Sequence, residues 1–543
     1  MNHQQPAAEV TGPVTDGPAI APPTLPAVLA RHASLTPGKT AIICRQRSVS
    51  YAELDIESGR TAQAILASGL QRGSRISYLG KESERYYEVV FACAKSGAVM
   101  VPINWRLTAT EVTHIISDSG TELIFTEEQF RPVVERVIED LGHNVRVVSL
   151  DGPPDEFQSD DFRRFKADVG AIPGPPVRWP RSDDAFVQMY TSGTTGLPKG
   201  VVLAQRSFFA VRDALAAAGL DWIDWRPADV NLIGIPGFHI GGLWWAMQAF
   251  IAGVTNVALR AFISSDAVHE IREHGVTTTC VVPAMLQMML DEPASRDGGL
   301  STLRKVVYGG APISASLLRR GMDVLGCEFA QIYGLTETGN TAVCLPPSEH
   351  VPNRGRLQAA GRPYPGFQIK IIDSDGRELP ADEIGEVCIQ TPAHMLGYWN
   401  LPEATAATLV DGWIHTGDAG FLDREGFVFI RDRIKDTIII AGENVYPAEI
   451  ENALGRHPAV REVAVVGIPH ERWGEAAHAY IVLEPGQQVS TRALLSSARE
   501  HLADFKIPTS VDYIDRLPRN PSGKVLRRTL RDQFWQEMAR QVN

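Results

Sequence analysis

Short β-branched runs alternate with stretches of helical period through roughly the first four hundred residues. That is the pattern of an α/β architecture with helices packed on largely parallel sheets. Ser50 with Glu53 three residues on has the spacing of a capping box, and opens a helix predicted to run through Ala62, Ile65 and Leu66 and to stop near Gly69. Arg75 to Leu79 then reads as a strand, Glu84 to Ser96 as a helix and Val99 to Ile103 as a strand. Further on, Val281-Val282-Pro283 ends one strand, while Arg304 to Tyr308 and Glu328 to Ile332 form two more.

Beyond Gly361 the texture changes. Gln368 to Ile372 and Glu386 to Gln390 read as strands joined by an Asp375-Gly376 turn. A charged stretch, Asp432 to Asp436, then precedes a compact tail. In it we expect a helix from Pro447 to Leu454, a strand from Val460 to Val466, a helix from Thr491 to Leu502 and a closing helix from Lys524. The expected organisation is a disordered tail over 1–24, a large N-terminal domain over 25–432, a hinge at 433–435 and a small C-terminal domain over 436–543. The expected fold class is α/β: two α/β sheet subdomains and a β-barrel-like part in the large domain, followed by a small mobile α+β domain.

One stretch imitates a membrane span. Asn231 to Leu259 carries no Asp, Glu, Lys or Arg and exceeds the roughly 20 residues a membrane helix needs. Pro236, Gly237, Gly241, Gly242 and Gly253 interrupt it, with His239 among them. A buried strand, a glycine-rich turn and a core helix account for it better.

The chain has 543 residues, too many for one core, so two to four domains or subdomains are expected. Its 64 acidic against 52 basic residues give a formal charge of -12 with no basic tract, which excludes an evident nucleic-acid surface. Any polyanionic ligand must therefore be bound by local donors. The six cysteines are scattered without a C-x-x-C pair, arguing against a zinc site or a disulfide framework and for a reducing cytoplasm. The N-terminus lacks a basic start followed by an apolar run, so it does not read as a signal peptide.

The chemistry concentrates in Tyr190-Thr191-Ser192-Gly193-Thr194-Thr195-Gly196-Leu197-Pro198-Lys199-Gly200, set between strands at Phe186 to Tyr190 and Val201 to Leu203. Three glycines let the backbone approach a ligand, while hydroxyls and exposed amides offer donors. Lys199 adds positive charge. Such a loop suits a polyphosphate, yet it is not G-x-x-x-x-G-K-[ST]. An ordinary Gly/Ser/Thr turn would look the same over five residues; the match over eleven points further.

The segment resembles the phosphate-loop motif of the adenylate-forming superfamily, which comprises acyl- and aryl-CoA synthetases, peptide-synthetase adenylation domains and beetle luciferases. The resemblance covers about residues 25 to 535, and within the superfamily it is strongest to bacterial fatty-acid–CoA ligases. It implies ATP contacts from Thr191, Ser192, Gly193, Thr194, Thr195, Gly196 and Lys199. Tyr333-Gly334-Leu335-Thr336-Glu337-Thr338 resembles the adenine and magnesium motif. By it Tyr333 stacks on adenine, Thr336 touches the α-phosphate and Glu337 binds Mg²⁺, with Thr191 a weaker second ligand. Gln331, Ile332 and Gly334 flank the nucleotide. Gly309, Gly310, Ala311 and Pro312 resemble the stretch lining the adenine and acyl sites. Asp418, in Thr416-Gly417-Asp418, and Arg433 fall on the ribose-binding positions.

Lys435 falls on the hinge, and Gly442, Glu443 and Asn444 on the loop that meets CoA. Lys524, in Pro521-Ser522-Gly523-Lys524, falls on the lysine required for adenylation. His239 falls where the family places an aromatic residue or His at the mouth of the acyl pocket, as a positioning gate and not an acid or base. Two positions depart from related patterns: Ile439 stands where some long-chain synthetases have Lys, and Ile332 where many aryl-CoA ligases have Gly.

The resemblance implies a Mg²⁺- and ATP-dependent acyl-CoA synthetase acting through an acyl-adenylate on a fatty or other hydrophobic acid. Its expected partners are ATP, CoA and a carboxylic acid, with no transmembrane segment; a homodimer stays open. The alternatives are an aryl- or hydroxycinnamate-CoA ligase, an adenylating enzyme that loads a carrier protein, a luciferase-like oxygenase, and a nucleotide sensor without catalysis. Neither a strand-linked G-x-G-x-x-G nor a G-x-S-x-G is present, so a Rossmann dehydrogenase or serine hydrolase finds no support.

Overall fold

The computed structural model describes residues 24–141, 144–151, 160–167, 180–191, 197–296, 298–351, 355–519 and 525–535. The expected tail over 1–24 lies outside them except for Thr24, which is buried at the head of the helix Leu25–Leu35.

Two large sheets carry the N-terminal part. In the first, nine strands run in the order Arg362–Pro363, Val343–Leu345, Glu328–Tyr333, Lys305–Gly309, Thr278–Val281, Val230–Ile233, Thr255–Ala258, Thr40–Cys44 and Arg47–Ser50. Its six central strands are parallel, and the outer ones antiparallel. The second sheet has eight strands, with Gly397–Tyr398, Lys199–Ala204 and Ala185–Thr191 leading into a parallel set from Val99–Ile103 to Asp160–Asp161. Every residue of Val99–Ile103 is buried, as befits a parallel strand covered on both faces.

Local rules place the helices. Ser50 and Glu53 form the expected capping box at the head of Tyr51–Ala67. Ser83 caps Glu84–Ser96, which ends on Gly97 at φ 77°, a conformation that costs glycine little. The charge-free stretch resolves into the strand Val230–Ile233 and the helix Ile240–Ala252, buried nearly all round, as a helix apolar on every side must be. Between them the chain turns so tightly that a Cβ on Gly242 would stand 2.3 Å from the Ile235 carbonyl oxygen. Among the described residues no helix is long and apolar enough to cross a membrane.

A five-stranded sheet follows, with Gln368–Ile372 pairing antiparallel to Gly385–Gln390 and that strand to Trp413–Leu422. The Asp375-Gly376 turn does not join the first two strands directly, contrary to expectation. Asp373 accepts from the amides of Asp375 and Arg377, which curls the chain back onto an Ile372–Glu378 bridge before it travels on to Gly385. After Val428–Arg433, the single turn Ile434–Asp436 leads to the smaller C-terminal domain. This packs the helices Pro447–Leu454 and Thr491–Arg499 with a sheet built on the long hairpin Val460–His470 and Gly474–Leu483. The second helix stops three residues short of Leu502, and the last one spans Arg527–Trp535, three residues later than expected.

Candidate active site

The parallel strands of both large sheets end toward the motif loops, the edge at which open α/β sheets bind ligands. Glu328–Tyr333 delivers Tyr333, Lys305–Gly309 runs into Gly310, Ala311 and Pro312, and Val230–Ile233 runs into the turn that holds His239. Gly309 has no room for a side chain, since a Cβ would lie 2.5 Å from the Ile332 carbonyl oxygen and 2.9 Å from its Cγ1. Ile332 is thus fixed as the buried floor of this corner. Behind it the Tyr308 hydroxyl donates to Gln331 Oε1 at 3.1 Å.

Three of the expected nucleotide residues meet at one carboxylate. Asp418 takes the Tyr333 hydroxyl on Oδ2 at 2.7 Å and Arg433 Nε on Oδ1 at 2.7 Å. Burial, and then the Asp418 charge, push the Tyr333 phenol well above its ordinary pKa, so it stays a donor. The Asp418 backbone is held in turn. Thr416 Oγ1 accepts from its amide, and Glu386 accepts from Gly417 N–H at 3.0 Å. Glu386 also takes His415 Nδ1 at 3.1 Å, and with Cys388 these three lie within 4.8 Å of one another. The carboxylate is occupied by the turn it braces, which gives the group a structural task.

Thr191 and Lys199 face each other across the antiparallel pair that flanks the expected phosphate loop; Ser192, Gly193, Thr194, Thr195 and Gly196 lie outside the described residues. A Cβ on Gly200 would sit 2.7 Å from Gln188 Nε2 and displace that side chain. The Lys199 ammonium stands 5.1 Å over the ring of Tyr398, whose hydroxyl donates to Glu337 Oε1 at 2.8 Å. Met395 N–H fixes the Glu337 backbone, and Thr336, Glu337 and Thr338 form one short helical turn ending on Gly339. Gly334 packs against the far end of that segment, 2.4 Å from the Asn340 carbonyl oxygen at its Cβ position. Carboxylate and hydroxyl oxygen are hard donors, the set that suits Mg²⁺.

His239 begins the Ile240–Ala252 helix, its ring 4.6 Å from that of Phe238 and its Nε2 sealed and without a hydrogen-bond partner. Burial, then Arg106, lower its pKa to about 4. It is neutral and a weak base at pH 7, as a gate would be. His239→Phe should therefore scale kcat/KM without changing its pH profile between about pH 5.5 and 8; a lost limb in that range would make His239 a proton carrier.

The turn bearing His239 rests on a residue the motifs do not name. Glu82 accepts from Gly237 N–H at 2.9 Å and from the Tyr87 hydroxyl, and burial pushes its carboxyl up to about 7.

The C-terminal side reaches the same corner. Asp432, next to Arg433, accepts from Ala448 N–H at 3.0 Å and pairs with Arg527 at 3.3 Å. Arg527 also grips Glu451 at 2.7 Å. Lys524 lies outside the described residues, but Arg519 and Val525 on either side of it form a bridge. Lys435 lies exposed on the connecting turn, and desolvation by the surrounding chain lowers its pKa. Ala441 and Gly442 both take positive φ, 52° and 88°, to close a hairpin that pairs Ile440 with Glu443 and Ile439 with Asn444. The expected CoA loop is this exposed hairpin.

The model of AMP-binding enzymes matches residues 29–399, and that of the AMP-binding enzyme C-terminal domain residues 449–524. The chain belongs to the AMP-binding enzyme family. This adenylate-forming ligase is 59% identical over 515 residues to a fatty acid–[acyl-carrier-protein] ligase of Streptomyces coeruleorubidus, covering 94% of this chain and 96% of that one. It is 36% identical to the indoleacetate–CoA ligase of Aromatoleum aromaticum, over 91% and 95% of the two chains. Among solved structures, o-succinylbenzoate CoA synthetase of Bacillus subtilis with its acyl-adenylate intermediate superposes with a TM-score of 0.79 at 32% identity, covering 95% of this ligase and 99% of that chain. ATP-bound MatB of Rhodopseudomonas palustris does so with 0.84 at 28% identity, over 95% and 100%. The ligase is AMP-forming and uses ATP as a cosubstrate. The α/β reading, with its smaller C-terminal domain, stands.

Sequence reasoning missed Tyr398, Glu386, Glu82 and Asp432. Gly397–Tyr398 is a two-residue strand with no periodic signature. It reaches Lys199 and Glu337 only because it pairs with Val201 and Val202.

Proposed function

We propose that this ligase adenylates a fatty or similarly hydrophobic acid and transfers the acyl group to a phosphopantetheine thiol, that of an acyl carrier protein in preference to CoA. The observation that supports the nucleotide half is the meeting of Tyr333, Arg433 and Asp418 at one point. The likeness to a carrier-protein ligase supports the acceptor.

In the first step a carboxylate oxygen of the acid attacks the α-phosphorus of ATP. The new P–O bond forms as the bond to pyrophosphate breaks. Both reactants are anionic, so catalysis is chiefly positioning and charge compensation. Tyr333 covers adenine, and Asp418 accepts the ribose hydroxyls while Arg433 keeps it oriented. The loop from Thr191 to Lys199 and the adenylation lysine, Lys524, surround the phosphates with donors. Glu337, with Thr191 as a weaker partner, would hold Mg²⁺, which when bound neutralises phosphate charge.

In the second step a thiolate attacks the acyl carbon and AMP departs. The C-terminal domain turns about Lys435, withdrawing Lys524 and bringing Gly442, Glu443 and Asn444 toward the pantetheine arm.

A CoA acceptor is the second reading, favoured by the likeness to CoA ligases along the whole chain. Pyrophosphate release across a panel of acids, followed by thioester formation with holo-carrier protein or free CoA, decides between them. We expect kcat/KM to favour the carrier by at least about tenfold, the effect of one well-made charged contact. Equal or better turnover with CoA would reverse the order, and release with no acid at all would remove the reading.

A further inference from the structure

Tyr398 lies between the two groups assigned to the triphosphate, on neither of the loops that carry them. Its hydroxyl donates to Glu337 Oε1 at 2.8 Å, and its ring lies 5.1 Å beneath the Lys199 ammonium. Its own backbone is fixed on both sides. Its amide donates to Thr405 Oγ1 at 2.9 Å, its strand pairs with Val201 and Val202, and Trp399 N–H reaches the Gly200 carbonyl at 2.8 Å. Trp399 is clamped as well, its Nε1 donating to the Asp118 carbonyl at 3.0 Å and its face covered by the Arg75 guanidinium at 3.3 Å. The side chain with which Glu337 is hydrogen-bonded thus sits on a strand paired to the hairpin Ala185–Thr191 and Lys199–Ala204.

Glu337 itself stands on one short turn of helix, Thr336–Thr338. Its side chain is only half-buried, so packing alone does not fix the carboxylate, and a hydrogen bond from a fixed donor narrows its rotamers. The bond also leaves Oε2 without a hydrogen bond among the described residues. One oxygen orients the group and the other stays available to a cation.

We propose that Tyr398 is a positioning residue for adenylation. Its hydroxyl sets the Glu337 carboxylate and its ring sets the Lys199 ammonium, so that metal ligand and phosphate-loop cation meet the triphosphate in fixed register. This rests on the roles given above to Glu337 and Lys199. Preorganised ligands raise metal affinity through such outer hydrogen bonds, and losing one typically costs about 10- to 100-fold.

The test uses the full chain with α,β-methylene-ATP, in which the bond broken by adenylation cannot cleave. Mn²⁺ binding is followed by electron paramagnetic resonance. Tyr398→Phe removes one hydroxyl and keeps the ring. It should weaken Mn²⁺ binding at least about tenfold and raise the Mg²⁺ concentration for half-maximal pyrophosphate release in parallel, with an unchanged melting curve. Tyr398→Ala should add a rise in KM for ATP, because the support under Lys199 is lost as well. Glu337→Gln measured alongside separates the two layers. If it loses Mn²⁺ binding while Tyr398→Phe binds like the parent, the positioning role is overturned and the Glu337 assignment stands. If Glu337→Gln also binds like the parent, the assignment beneath the proposal falls, and the proposal with it.

Discussion

Asp418→Ala is expected to raise KM for ATP by two to three powers of ten. The Asp418 side chain is 7% exposed and holds Tyr333 and Arg433 at once. Removing it leaves a buried phenol and a guanidinium without their partner, in addition to losing the acceptor for ribose. Each hydrogen bond between ribose and a charged acceptor contributes roughly 1.5–3 kcal/mol, two are lost together, and each 1.4 kcal/mol or so is a factor of ten. Asp418→Asn keeps an acceptor for Tyr333 but not the charge, so it should fall between the parent and Ala. Titration of ATP in a pyrophosphate-release assay reads both variants. A KM within about twofold of the parent, less than one ordinary hydrogen bond contributes, would mean that ribose binds elsewhere.

Lys524→Ala carries the second large effect, and it should split the reaction in two. In the proposed mechanism the lysine compensates charge on the α-phosphate and departing pyrophosphate only in the first step. Loss of one preorganised donor costs about 10²–10³ in rate. Adenylate formation should fall by that much, while transfer from a supplied acyl-adenylate to the thiol acceptor should keep its rate. Single-turnover measurement of each half-reaction supplies the two numbers. Equal losses in both would place Lys524 in a common structural role. Arg527 bears on this outcome, since it ties the chain three residues beyond Lys524 to Asp432, the neighbour of the ribose-side Arg433. Burial pushes the Asp432 carboxyl up to about 6, against the opposing pull of Arg527. That pairing brings the far C-terminal segment and the Asp418 corner into one neighbourhood.

Much of this was legible beforehand because it depends on short-range rules. The Ser50–Glu53 cap, the buried run Val99–Ile103 and the helix Pro447–Leu454 follow from capping, β-branching and proline position, all local in sequence. The glycine-rich turn before Ile240 was readable for the same reason. Errors fell where a local rule met a competitor. Asp375-Gly376 does make a turn, but the Asp373 side chain bends it back on itself, so the next strand begins later. Thr491 to Leu502 keeps its apolar positions, yet the helix ends at Arg499, with Leu502 N–H still bonded to the Ala498 carbonyl.

The order of the motifs and the residue types they carry were thus legible in the chain itself. Their company was not. Tyr398 meets Glu337 across 61 positions and Lys199 across a strand pairing, and Asp432 meets Arg527 across 95. Contacts of that range depend on which strands neighbour one another in a sheet. Strand order is selected by the packing of whole layers, and no window of residues contains that information.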